Sequence, residues 1–190
     1  MLLGALADAG LNINELEAKL NEFAQPFNLE VISTVRSSIE CKKVNLEGTC
    51  KLDPYDICTA YEPSEETNGL YMQSVICAME IMGIEYVMCS DMSIADNADG
   101  EVIGILEKAG IELLPTCDDL TAPKCADAAF LGAIISEHGP KPNMDILAIG
   151  YGAGGNSKDS MDIVTAVIGQ FNPEELSLNS CEEENFASIL

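Results

Sequence analysis

Glycines alternate with other residues in one short segment, Gly150-Tyr-Gly152-Ala-Gly154-Gly155, directly after an apolar run. The segment formally matches GxGxxG, the loop whose backbone N–H groups hold the pyrophosphate of a dinucleotide. That motif opens a helix early in a βαβ unit, whereas a β-branched run soon follows here. We therefore predict a glycine-rich turn between two strands. Gly150, Gly152 and Gly154 are its candidates for lining a ligand site by close backbone approach, and a nucleotide-binding enzyme is the alternative.

Metal or acid–base chemistry would have to come from few side chains. His138 is the only histidine, and it stands beside Gly139 and Pro140 as in a surface loop. A nitrogen-rich zinc or nickel site built by this chain alone is therefore not expected. Softer ligands are available in Cys117 and Cys125, which flank the start of a predicted helix where the dipole favours a thiolate. Plain burial of both thiols is the alternative.

The charge balance excludes whole classes of partner. Nine basic residues face 32 acidic ones, and the formal net charge is -23. Nucleic acid is not expected as a partner, because such binding needs Lys and Arg on the phosphates, and anionic membrane surfaces are disfavoured for the same reason. Arg36 is the only arginine, so bidentate guanidinium clamps are nearly absent. A solvated acidic surface explains most of this charge, with cation storage as the alternative.

Cellular location follows from the cysteines and the apolar runs. The eight cysteines show no CxxC spacing of a structural zinc site, and no cleavable signal opens the chain. We expect reduced thiols and a cytoplasmic location. No apolar run approaches the roughly 20 residues that span a bilayer, so a membrane protein is not expected.

Periodicity predicts the elements that position these residues. Two N-terminal helices, the first stopped by Gly10 and the second capped by Asn14, precede a β-hairpin that starts at Leu29 and a long loop. Helix and strand then alternate, in the pairs 70–82 with 84–89, 102–109 with 111–114, and 125–135 with 146–150. This alternation predicts an α/β (or α+β) fold with a mixed sheet covered by helices. We expect one main domain over 1–170 and a peripheral acidic C-terminal tail over 171–190.

Several segments resemble the LarC-type nickel-insertion proteins of nickel-pincer cofactor biosynthesis. They are Ile149-Gly-Tyr-Gly-Ala-Gly154, Met1 to Gly10, Ala78 to Gly83 with Cys89-Ser90, and Asp119-Leu-Thr-Ala-Pro123 with Ala128 to Leu131. The resemblance covers nearly the whole chain and corresponds to the family's N-terminal domain. It implies insertion of nickel into a pyridinium bis-thiocarboxylate mononucleotide, a lyase-type activity that depends on CTP bound by a C-terminal domain.

The chain departs from the family pattern where metal chemistry is expected. The family's histidine-glutamate pair, its following aspartates, and its asparagine and arginine after the glycine loop correspond here to Tyr61-Glu62, Thr67, Tyr71, Asp162 and Thr165. The glycine-rich turn ahead of the first helix and the C-terminal domain have no counterpart. A nickel site would have to recruit Glu62, Cys117 and Cys125, while Thr121 and the glycine loop keep cofactor-binding positions.

Two functions follow from the resemblance. The first is a divergent homologue that acts as an accessory or binding subunit, with catalysis lost or dependent on a partner. The second is an active nickel-handling subunit that works with a separately encoded C-terminal LarC-like domain. A homo-oligomer is a further expectation.

Overall fold

The computed structural model describes residues 1–50, 69–95, 98–116, 125–154, 163–170 and 185–189. The helices are α1 (Leu2–Asp8), α2 (Ile13–Phe23), α3 (Gly69–Met82), α4 (Gly100–Lys108) and α5 (Cys125–Ile134). The strands are β1 (Ala24–Arg36), β2 (Ile39–Cys50), β3 (Tyr86–Cys89), β4 (Met92–Ala95), β5 (Leu113–Thr116), β6 (Glu137–His138), β7 (Asp145–Ala153), β8 (Ile163–Gln170) and β9 (Asn185–Ile189).

The two N-terminal helices are set by local signals. Gly10 follows α1 at φ +108°, a conformation that glycine adopts without strain. Asn12 caps α2, because its side chain accepts a hydrogen bond from the Glu15 N–H at 3.4 Å. The prediction that Asn14 is the cap is wrong, since Asn14 lies inside the helix.

The hairpin predicted from Leu29 is confirmed as β1 and β2, which pair antiparallel from Arg36↔Ile39 back to Ala24↔Cys50. Ser37 and Ser38 form its two-residue turn, with φ values of 46° and 69°. Positive φ at both central residues is the geometry that matches the twist of a two-residue hairpin. Serine is an uncommon choice there, because a side chain at positive φ is strained.

The large sheet has the strand order β1-β2-β7-β8-β9-β3-β6. The pairs β1-β2, β7-β8 and β8-β9 are antiparallel, whereas β2-β7, β3-β9 and β3-β6 are parallel. β4 and β5 form a separate parallel pair. The mixed sheet with its helices confirms the predicted α/β class.

The main core lies between one face of the large sheet and α1, α2 and α3. Its fully buried side chains include Leu3, Leu6, Leu16, Leu20, Leu70 and Val75. Each such side chain contributes about 1.5–3 kcal/mol by leaving water. A second core joins α4, α5 and the two-stranded sheet around Leu106. Helix α5 links the two cores, because Leu131 packs against both.

The C-terminal segment differs from its prediction. Residues 171–190 were expected to be peripheral, yet Asn185–Ile189 forms β9 between β8 and β3 in the large sheet. The prediction is wrong for these five residues because their strand pairs with β3, about 100 residues earlier in the chain, and not with a sequence neighbour. None of the helices in the described part of the chain is long and apolar enough to cross a membrane.

Candidate functional site

The glycines of the predicted turn lie mostly inside a strand. Gly150 and Gly152 belong to β7, which continues to Ala153, and Gly154 follows its end. The prediction of a turn is therefore wrong for Gly150 and Gly152. Residues 155–162, including the rest of the glycine-rich segment, lie outside the described residues.

The backbone of α1 occupies the space that side chains would take at these glycines. A Cβ at Gly150 would overlap the Ala5 carbonyl oxygen and the Ala9 nitrogen. A Cβ at Gly152 would overlap the Met1 carbonyl oxygen and lie 2.5 Å from the Ala5 nitrogen. Close backbone approach is thus present, but the approaching group in the described residues is a helix of the same chain. Packing of α1 explains both glycines without a ligand.

Polar side chains fix the C-terminal end of α1 on the sheet. Asp8 accepts a hydrogen bond from the Tyr151 N–H at 3.0 Å and lies 4.0 Å from Lys42. Lys42 Nζ also donates to the Ala7 carbonyl oxygen at 3.3 Å. A cation at a helix C-terminus is stabilised by the helix dipole, so this arrangement orients α1 across β2 and β7.

Of the other predicted site residues, the structure describes only Cys125. Glu62, Cys117 and Thr121 lie outside the described residues. Cys125 begins α5, half-buried, with a free thiol. No group of three or more His, Cys, Asp or Glu side chains within the described ranges is arranged to hold a metal ion. The nickel and cofactor roles of these residues stay predictions.

His138 lies in a short strand and contacts the second sheet, whereas the sequence predicted a surface loop. It lies in β6, and its ring Nε2 accepts a hydrogen bond from the Glu112 N–H at 3.2 Å. The same nitrogen is 3.2 Å from Asp91 Oδ1. One nitrogen cannot accept and donate at once, so Nε2 accepts from the Glu112 N–H when it carries no proton and donates to Asp91 when it carries one. In both forms His138 ties the β3–β6 end of the large sheet to the two-stranded sheet.

The buried thiols are held in their neutral form. Burial raises the pKa of Cys89 to about 11, and it raises the pKa values of Cys41 and Cys77 as well. The nearby Arg36 charge offsets only part of the rise at Cys41. Since the thiolate is the metal ligand and the nucleophile, these three cysteines are poor candidates for either role.

One face of the hairpin and β7 carries exposed isoleucine side chains. Lys42 and Gly152 are register partners, and the side chain of Lys42 and the Cα–H side of Gly152 face α1. Because side chains alternate along a strand, the residues next to them face the opposite side of the sheet. We call this opposite side of β1, β2 and β7 the outer face. Ile32, Ile39 and Ile149 are exposed on it, and Ile149 keeps 44% of its surface in solvent.

Arg36 lies on the outer face at the end of β1, and only 4% of it is exposed. Its Nη1 donates to Thr34 Oγ1 at 3.0 Å and to the Val35 carbonyl oxygen at 3.3 Å. Its Nε is buried and has no acceptor within the described residues. Sequence reasoning noted that this arginine is unique but missed its burial. The alternation of side chains in β1 does not predict this burial, because Ile39, the register partner of Arg36, is exposed.

Comparison with protein families, with curated proteins and with solved structures finds no match for this chain. The resemblance to LarC-type proteins therefore rests on the sequence segments quoted above.

Proposed function

We propose that the chain is a divergent homologue of the LarC-type nickel-insertion proteins and acts as an accessory, partner-binding subunit. Its partner is a separately encoded LarC-like C-terminal domain, which supplies CTP binding. Nickel and the pyridinium bis-thiocarboxylate mononucleotide are the substrates of the reaction that the two chains carry out together. The chain's own contribution is to bind and position that partner.

The outer face and the adjoining apolar residues carry this proposal. Among the described residues, eight large hydrophobic side chains are exposed, and six of them lie in the hairpin and β7. The six are Ile32, Val35, Ile39, Ile146, Leu147 and Ile149. Ile32, Ile39 and Ile149 lie on the outer face, whereas strand alternation places Val35 on the opposite side of the sheet. Single exposed apolar residues are ordinary, but several on one face mark an interaction surface. The clustering supports docking of another polypeptide.

The positions of other candidate residues favour binding over chemistry. The backbone of α1 occupies the space beside Gly150 and Gly152, and the buried thiols are protonated at neutral pH. These residues therefore support the fold that presents the outer face. The alternative, an active nickel-handling subunit that uses Glu62, Cys117 and Cys125, gains no support from Cys125, the one member of that set that the structure describes.

Sedimentation velocity of the chain mixed with a LarC-type C-terminal domain tests the docking. Ile149→Lys places a charge on the outer face, and Leu114→Lys is its matched control, because Leu114 is 45% exposed on β5 in the separate small sheet. We expect a complex with the native chain and with Leu114→Lys, and none with Ile149→Lys. A complex that survives Ile149→Lys would remove the outer face from the proposal.

A further inference from the structure

Arg36 carries a positive charge for which the described residues provide no counter-charge. It is the only arginine in a chain with 32 acidic residues, and it is 4% exposed. Its two hydrogen-bond acceptors in the described part of the chain, Thr34 Oγ1 and the Val35 carbonyl oxygen, are neutral. Buried charges are normally paired, because an unpaired charge loses its hydration without compensation. A bound oxyanion would supply that compensation.

The donors that are left over define the kind of anion. Nη1 is used by Thr34 and Val35, whereas Nε is buried without an acceptor in the described part of the chain. A guanidinium binds carboxylates and phosphates with two parallel N–H donors. The edge formed by Nε and Nη2 is such a fork, and it matches two oxygen atoms of one oxyanion.

The described register neighbours of Arg36 on the outer face are uncharged. Strand register places Thr34 opposite Cys41, and Ile32 opposite Lys43, on the same outer face. Cys41 is a neutral thiol at physiological pH, because burial raises its pKa. The Asp8 charge also raises the pKa of Cys41, but Asp8 lies towards α1, where its carboxylate accepts from the Tyr151 N–H and pairs with Lys42. The register positions next to Arg36 on the outer face are thus held by the uncharged residues Thr34, Ile39 and Cys41, and Glu30 lies further along β1, where it accepts a hydrogen bond from Asn45.

We propose that Arg36 binds a small oxyanion, a carboxylate or a phosphate, through the Nε–Nη2 edge beneath the outer face. Ser37, Ser38 and Ile39 are the exposed neighbours of Arg36 in the chain and in the strand register, and entry of the anion requires a local shift of this turn. The anion supplies the counter-charge for the buried guanidinium. This site goes beyond the docking of a partner, and it is complete in the isolated chain.

The native chain allows a direct test by ¹H–¹⁵N NMR. Because Arg36 is the only arginine, its Nε–Hε correlation is identified without further assignment. Inorganic phosphate and acetate are titrated separately, with sodium chloride at matched ionic strength as the reference. We expect a saturable one-site shift of this correlation with at least one oxyanion, and the stronger of the two identifies the ligand class. A correlation that does not move, or that moves equally with sodium chloride, overturns the proposal.

Two variants separate a specific site from general charge effects. Arg36→Lys keeps the positive charge but removes the two parallel N–H donors of the guanidinium. Lys108→Gln is the control, because it removes one exposed positive charge from α4. Isothermal titration with the oxyanion that shifts the Arg36 correlation should show at least tenfold weaker binding to Arg36→Lys and unchanged binding to Lys108→Gln. Equal binding to the native chain and Arg36→Lys would show that Arg36 is not the site.

Discussion

Replacing Gly150 with alanine tests whether the glycines of β7 serve helix packing. The new Cβ would overlap the Ala5 carbonyl oxygen and the Ala9 nitrogen, and it would lie 2.9 Å from the Ala9 Cβ. Two of these atoms are helix backbone and cannot rotate away, so α1 must move off the sheet by about 1 Å. A gap of that size forfeits about a quarter to a half of the dispersion attraction at each contact. Leu3 and Leu6, two fully buried side chains of α1, would lose packing together.

The cost should lie at the upper end of the overpacking range, about 3 kcal/mol in the free energy of unfolding. For a chain of 190 residues this corresponds to a fall in Tm of about 6–12 °C. Thermal and urea unfolding followed by circular dichroism measure it. Gly104→Ala is the control, because Gly104 lies in α4 with nothing within 4 Å of its added Cβ. That change should stabilise the protein by about 0.5–1 kcal/mol, as alanine does in a helix.

A Gly150→Ala protein as stable as the native chain would refute the packing explanation. If its affinity for a nucleotide fell at the same time, the glycine would belong to a ligand site, as the GxGxxG match suggested.

Three further results are expected. Burial raises the pKa of Tyr71 to about 12 from 10.0 and that of Cys89 to about 11 from 9.0, so the folded state keeps protons that the unfolded state releases. Stability from these groups is complete below about pH 9 and is lost as the pH rises towards 12, so urea midpoints that stay constant from pH 8 to pH 11 would contradict the burial. Iodoacetamide at pH 8 should alkylate half-buried Cys125 at least about tenfold faster than buried Cys89, as peptide mass spectrometry can show, and equal rates would count against it. Asp8→Ala should cost about 1–2 kcal/mol and speed hydrogen exchange at the Tyr151 amide, whereas unchanged protection would mean that the bond is unimportant.

Local signals were enough to predict most helices and the hairpin. The period of α3 and the alternation in β1 depend on neighbouring residues, so the chain shows them directly. β9 is different, because it pairs with β3 and β8 across long stretches of sequence and follows an acidic run. Its strand state comes from partners that no local pattern reveals. The two-residue strand β6 and the short β4 were missed because neither is long enough to show a period.

The candidate site was predicted less well than the fold. Glycines at alternate positions indicate close backbone approach, but they do not say whether a ligand or a helix approaches, and here Gly150 and Gly152 meet α1. Arg36 shows the reverse case. Composition shows that Arg36 is unique, but not that it is buried or that its Nε has no acceptor within the described residues.

Reconstitution of nickel insertion tests the central claim most directly. Formation of the nickel-pincer nucleotide is measured with the chain alone, with a LarC-type C-terminal domain and CTP alone, and with both together. An accessory subunit predicts product only with both chains present, and loss of that product with Ile149→Lys but not with Leu114→Lys. Product from the isolated chain, or none from the mixture, would contradict a partner-binding role in this reaction.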